Sequence, residues 1–142
     1  MSVTRKPVAS AENSLIRSLR SRGATIGIVG LGYVGLPLAF AGVSAGYSVL
    51  GFDIDRTKVD RLNRGESYLR HIDPKALDAG LAEKRFTATG DFARVAEVDA
   101  LIICVPTPLG AHREPDTSYI SSTIDAILPF LRSGQLISLE SS

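Results

Sequence analysis

The chain contains no tryptophan, one methionine, one cysteine and two histidines in 142 residues. With Cys104 alone, neither an internal disulfide nor a cysteine-based zinc cluster can form. His71 and His112 stand far apart, without partners at metal or triad spacing, and read as surface or loop residues, so no metal site is expected. Charge of one sign is also missing. Sixteen Lys and Arg stand against fifteen Asp and Glu, a net of +1, which leaves no global basic field for nucleic acid or an anionic membrane. No apolar run approaches the roughly 18 residues of a membrane-spanning helix, and residues 1–22 lack the apolar centre of a secretory signal. What is present is ordinary globular usage, 44% hydrophobic and 22% charged. That excludes general disorder and leads us to expect a soluble domain in a reducing, cytoplasmic compartment.

Residues 1–22 differ from the rest. Arg5, Lys6, Arg17, Arg20 and Arg22 oppose the single acid Glu12, giving +4, whereas residues 23–142 carry −3. Asn13 or Ser14 is placed to open a short helix with Leu15, Ile16 and Leu19 on one face, a stripe too narrow for more than weak docking. The serine and arginine content also fits an organelle transit peptide. The plainer reading is a basic, partly ordered leader, with the folded domain at 23–142.

From Thr25 the pattern becomes strand and helix in alternation. Thr25-Ile26-Gly27-Ile28-Val29 is short, apolar and β-branched, as a strand buried on both faces should be. A helix over 34–45 stops at Gly46, and a second strand runs from Tyr47 to Phe52, completing a βαβ unit of about 30 residues. Helices are expected at Arg56–Asn63, capped by Asp55, and at Pro74–Lys84, capped by Asp73 with proline at the first position. A weak strand at Arg85–Ala88 and a helical turn at Phe92–Ala96 follow, then the strongest strand, Ala100–Val105, stopped by Pro106. Thr117–Leu131 reads as a helix capped by Asp116 with Ile120, Ile124, Ile127 and Leu128 inward, and Gln135–Leu139 as a fifth strand. The pattern predicts an α/β Rossmann-type fold. It is a doubly wound parallel sheet of about five strands in the order 3-2-1-4-5, with helices on both faces and a ligand beyond the strand carboxyl ends where the winding reverses. The usual sixth strand is missing, so the fifth is expected to be an unpaired edge with a tendency to associate, and the chain to be an excised N-terminal domain.

The first βα junction reads Gly30-Leu31-Gly32-Tyr33-Val34-Gly35, a G-x-G-x-x-G between strand and helix. Gly30 suits the tight turn, Gly32 a close backbone approach to a pyrophosphate, and Gly35 close packing of helix on strand. The helix that follows offers its amino end, carrying Tyr33, Val34 and Gly35, to a diphosphate. Asp53 closes the second strand 18 residues after Gly35, where a carboxylate accepts hydrogen bonds from both hydroxyls of an adenosine ribose and disfavours a 2′-phosphate. NAD is therefore the expected cofactor. Lys58 is placed to reach the ribose or phosphate edge, with Arg56 beside it, although either can equally be part of a solvated helix face. Thr107, in the loop Val105-Pro106-Thr107-Pro108, faces the nicotinamide half or bonds its own turn. Cys104 lies inside a buried strand, where a thiolate is costly, and reads as inert packing. Glu140, at the end of the fifth strand, reads as solvated unless it faces the cleft.

Four ordered blocks then resemble one family: Gly30 to Ala39, Gly51-Phe52-Asp53-Ile54-Asp55 with Lys58-Val59, Ile102 to Leu109, and Glu114-Pro115-Asp116 with Tyr119-Ile120. Over residues 24–142 they are similar to the UDP-glucose/GDP-mannose dehydrogenases, above all the UDP-N-acetylhexosamine 6-dehydrogenase branch of surface-polysaccharide synthesis. The resemblance implies an enzyme that oxidises the C6 alcohol of a UDP-sugar to a carboxylate with two NAD molecules in succession. In that family a cysteine forms a thiohemiacetal, assisted by a lysine, an asparagine and waters. Cys104 does not match that cysteine, so no catalytic residue is expected within this chain. The cofactor half carries over: the glycine loop, Asp53, Lys58 and Thr107. Ser141-Ser142 stand where the family has a serine-threonine pair. The whole enzyme is expected to be a homo-oligomer. Two rivals remain at this level: a regulatory module sensing NAD(H) or an adenine nucleotide, and a domain of a 3-hydroxyacid or 6-phosphogluconate type dehydrogenase. The block from Val105 to Leu109 argues against the latter.

Overall fold

A computed structural model describes residues 8–70 and 72–140. His71 and the Ser141-Ser142 pair lie outside the described residues. Five strands form one parallel sheet: β1 (Thr25–Val29), β2 (Ser48–Phe52), β3 (Phe86–Thr89), β4 (Ala100–Ile103) and β5 (Leu136–Leu139), in the order β3-β2-β1-β4-β5. This is the expected winding. The reversal falls between β1, paired on one side with β2 through Val29 and Phe52, and β4, paired on the other through Val29 and Ile103.

Side chains alternate across the pleat, so neighbours in one strand serve different cores. Ile28 packs with Leu36, Phe40, Leu77 and Phe86 on one face, while Val29 packs with Phe52, Val95, Leu101 and Ile127 on the other. The first face is covered by α2 (Gly35–Ser44), α3 (Arg56–Asn63) and α4 (Pro74–Ala82). The second is covered by a 3-10 turn at Phe92–Glu97 and by α5 (Ser118–Ile127). Caps fall where the side chains allow them: Asp55 accepts from the Thr57 and Lys58 N–H groups, Asp73 from Lys75 and Asp91 from Ala93.

The two sheet edges are finished differently. On β3, Arg85 and Thr89 turn their carbonyls to Val49 and Asp53 of the β2 side, so the backbone N–H and carbonyl of the buried Ala88 point away from β2. Asn63 of α3 takes both of its backbone groups, donating to the carbonyl at 2.8 Å and accepting from the N–H at 3.0 Å. That side-chain amide stands in for another strand and blunts the edge. On β5, Leu136, Ile137 and Leu139 are exposed.

Four local expectations are corrected. The basic leader helix does not open at Asn13 or Ser14: α1 spans Val8–Ser21. Its end is tied to the domain by Tyr47, whose hydroxyl donates to the Leu19 carbonyl at 2.6 Å, and by Arg22 on the Ala45 carbonyl. The central strand ends at Ile103 rather than Val105. Cys104 makes a last ladder bond to Val29 at 2.7 Å, after which the chain bends to pass over Gly30. The last helix ends at Ile127 rather than Leu131 because Pro129 has no N–H to continue it, and a 3-10 turn at Leu128–Phe130 follows. Of its four residues expected inward, Ile127 is buried and Ile120 half-buried, while Ile124 and Leu128 are 42% and 61% exposed. The buried stripe is instead Thr123 and Ile127. One step around the helix from it, Ile124 and Leu128 are left exposed.

Candidate functional site

The glycine loop joins β1 to α2 by a turn that a side chain would block. Gly30 has φ +94°, and a β-carbon there would meet the Cys104 carbonyl oxygen at 2.8 Å. At Gly35, the first residue of α2, a β-carbon would lie 1.7 Å from the Gly30 carbonyl oxygen. Gly32 has nothing within 4 Å on its open side. Two glycines thus fold the loop back on itself, and the third leaves its outer side clear. Helix α2 opens at Val34 without a side-chain cap and without an acid in its first turn. Its positive end therefore remains available to an anion.

A crevice of about 690 Å³ lies beyond the carboxyl ends of β1, β2 and β4. Gly30, Gly32, Tyr33 and Val34 form one wall, Asp53 and Lys58 the adjoining one, and Thr107 with Pro106 and Pro108 the far side. Of the residues expected to hold a cofactor, these are brought together. Gly35 is buried beneath the loop, and Arg56, the first residue of α3, is exposed and is not part of the wall. His112 is exposed on the loop after Thr107, away from the wall.

Asp53 is 9% exposed and forms the hinge of the site. One carboxylate oxygen accepts from the Leu31 N–H and the other from the Asp55 N–H, each at 2.9 Å. The group is held rigidly between the glycine loop and the start of α3, with lone pairs of both oxygens still available to a ligand hydroxyl.

The crevice also has walls that the sequence did not single out as cofactor contacts. Ile54 is apolar yet 78% exposed beside Asp53, and Phe92, Tyr119, Ser122 and Thr123 close the opposite side. An apolar residue directly after a strand-end acid, inside a block of the family resemblance, was a readable signal for Ile54. Tyr119 stands in the fourth block of the family resemblance, whereas Phe92, Ser122 and Thr123 stand on elements far along the chain and carry no local sign. Glu140, solvated as expected, also borders the crevice, and it accepts from the Ser138 hydroxyl at 2.8 Å.

Cys104 is buried and borders the crevice floor. Burial pushes its thiol above the ordinary range, and the nearby Glu140 carboxylate adds to the effect. A thiol held neutral is a poor nucleophile at pH 7. We expect native protein at pH 7 to react with an aromatic disulfide reagent at least about tenfold more slowly than unfolded protein, with the rate rising only at alkaline pH. Rapid stoichiometric labelling of the native chain at pH 7 would contradict this.

The donor set suits a dinucleotide better than a metal. Among the described residues, no three His, Cys, Asp or Glu side chains gather in a way that could hold an ion, and no helix is long and apolar enough to cross a membrane. A carboxylate fixed at the end of β2, an uncapped helix end and a loop with one side left clear fit the sugar, the phosphates and the close backbone approach of NAD.

Comparison with known proteins agrees with this geometry. The chain is 41% identical over 124 residues to UDP-N-acetyl-D-mannosamine dehydrogenase of Escherichia coli K12, covering 84% of this chain and 28% of that protein. It is 37% identical over 121 residues to NDP-N-acetyl-D-galactosaminuronic acid dehydrogenase of Ralstonia nicotianae, covering 83% and 27%. The structure of GDP-mannose dehydrogenase from Pseudomonas aeruginosa superposes with a TM-score of 0.77 at 31% identity, covering 82% of this chain and 28% of that one. The chain therefore spans under a third of the length of these relatives. Residues 24–142 match the NAD binding domain of the UDP-glucose/GDP-mannose dehydrogenase family, and the chain belongs to that family.

Proposed function

We propose that the crevice binds NAD with its diphosphate against the amino end of α2 and its adenosine ribose on Asp53. We further propose that the whole protein uses this domain to oxidise the C6 alcohol of a UDP-sugar to a carboxylate. The buried, doubly anchored Asp53 beside an uncapped helix end carries the reading. Gly30 and Gly35 shape the loop, while Gly32, Tyr33 and Val34 line the diphosphate path. Lys58 attends the ribose or phosphate edge, Arg56 adds diffuse positive charge from outside the wall, and Thr107 meets the nicotinamide half. NAD held there would supply the hydride acceptor for the oxidation. The chain's own residues orient it, and the apolar wall of Phe92, Val105 and Pro106 keeps water from the reacting end.

This division predicts cofactor binding without turnover. Titrating the chain with NADH should give a saturable fluorescence change. Adding NAD and a UDP-sugar should produce no NADH, because the substrate-activating groups implied by the family lie outside these residues. A titration with no saturable phase would remove the basis of the proposal.

We propose that residues 1–22 are an appended leader to the domain at 23–142, and that a chain with a single cysteine and no disulfide framework works in the cytoplasm. The β5 edge is where copies of the chain should associate. Sedimentation should show concentration-dependent association, reversed by Ile137→Lys at the exposed edge. A strictly monomeric profile at high concentration would refute it. A homo-oligomer is proposed for the whole enzyme.

A further inference from the structure

Residues 64–70, which follow α3, form an irregular segment off the crevice wall, and one of them reaches back to the glycine loop. Tyr68 is half-buried, and its hydroxyl donates to the carbonyl oxygen of Leu31. Its ring meets two cations of α3: Lys58 Nζ lies 5.5 Å from the ring centroid and Arg61 Cζ 5.8 Å. Leu31 and Lys58 border the crevice, and Tyr68 does not.

Leu31 lies between Gly30 and Gly32, so the peptide groups around it have little conformational restraint of their own. Its N–H is held by Asp53 and its carbonyl by Tyr68. With both ends fixed, the loop keeps one conformation before any ligand arrives, which reduces the ordering cost of binding. The ring does something similar for Lys58. A flexible ammonium drawn to the face of an aromatic ring samples fewer positions and stays on the crevice side of α3.

We propose that Tyr68 is a positioning residue for the adenosine half of the dinucleotide, setting the glycine loop through Leu31 and the ammonium of Lys58 through its ring. The inference rests on the cofactor reading of the crevice. Tyr68 keeps its proton throughout the working pH range, because burial and the Asp53 and Asp55 carboxylates push its hydroxyl well above the usual value. It therefore acts as a constant donor.

The test is a double-mutant cycle on the 142-residue chain, read by NADH titration, with thermal melting as the control for folding. Tyr68→Phe removes the hydroxyl and should weaken binding about fivefold. Tyr68→Leu removes the ring as well and should weaken it about 20-fold. In a Lys58→Met background, Tyr68→Leu should cost no more than Tyr68→Phe, a coupling that a merely structural tyrosine would not show. Folded Tyr68 variants that bind NADH as tightly as the parent chain would overturn the proposal and leave the cofactor reading standing. An effect of Tyr68→Leu that is independent of Lys58 would overturn it as well. A parent chain that does not bind NADH overturns the cofactor reading instead. If Tyr68→Leu does not fold, Tyr68→Phe decides, and an unchanged dissociation constant counts against the proposal.

Discussion

Asp53→Ala should raise the dissociation constant for NAD by about 100-fold, the effect of losing charge-assisted bonds to two ribose hydroxyls at about 1.5 kcal/mol each. The substitution also leaves the Leu31 N–H without its 2.9 Å acceptor in a buried position, so the loop loses its anchor along with the ligand contact. Asp53→Asn separates the two effects. Its amide keeps one acceptor oxygen for the Leu31 N–H but sets an NH2 group against the Asp55 N–H, so stability should fall by about 1–3 kcal/mol while the loop anchor survives and the preference for NAD over NADP narrows by tenfold or more. A 2′-phosphate meeting a carboxylate at close range is opposed by a repulsion on the order of a few kcal/mol, and the neutral amide removes it. Isothermal titration with both dinucleotides provides the measurement. If Asp53→Ala binds NAD within threefold of the parent chain, the ribose does not lie where the site implies.

The second large effect concerns the glycine loop and has the opposite sign to the usual rule. Within a helix, replacing glycine with alanine ordinarily stabilises by up to about 1 kcal/mol. At Gly35 the added β-carbon would sit 1.7 Å from the Gly30 carbonyl oxygen, a backbone atom that cannot rotate away. Relief requires moving α2 off β1, where Leu36, Ala39 and Phe40 join Ile28 in the core. We expect Gly35→Ala to cost about 3 kcal/mol or more in urea unfolding. Gly32→Ala is its counterpart. Nothing lies within 4 Å of the added carbon, so stability should change by under about 0.5 kcal/mol, while NADH binding falls because the methyl group occupies the phosphate approach. Equal stability of the two variants would show that the loop does not make the tight turn described here.

Much of this site was legible because its signals are local. The glycine spacing, Asp53 at a strand end and the caps Asp55 and Asp73 each depend on a few consecutive residues, and each lies where its chemistry places it. Strand order was legible for a related reason: alternating strand and helix patterns leave few right-handed windings open. Helix burial was less so. The apolar residues of α5 suggested one inward stripe, but which side of that helix is covered is decided by packing across the sheet. Ile127 joins the second core, while Ile124 and Leu128, one step around the same helix, are left exposed.

By itself, the sequence determined the elements, their order and a crevice entrance built from one loop and one carboxylate, since periodicity, turn chemistry and capping act over a handful of residues. Only the tertiary structure decided which distant residues close that crevice. Cys104 and Glu140 at its edge, Phe92 and Thr123 opposite, and Tyr68 on the Leu31 carbonyl come together through parallel register and packing across the sheet. Those contacts arise from long-range burial, and no spacing along the chain records them.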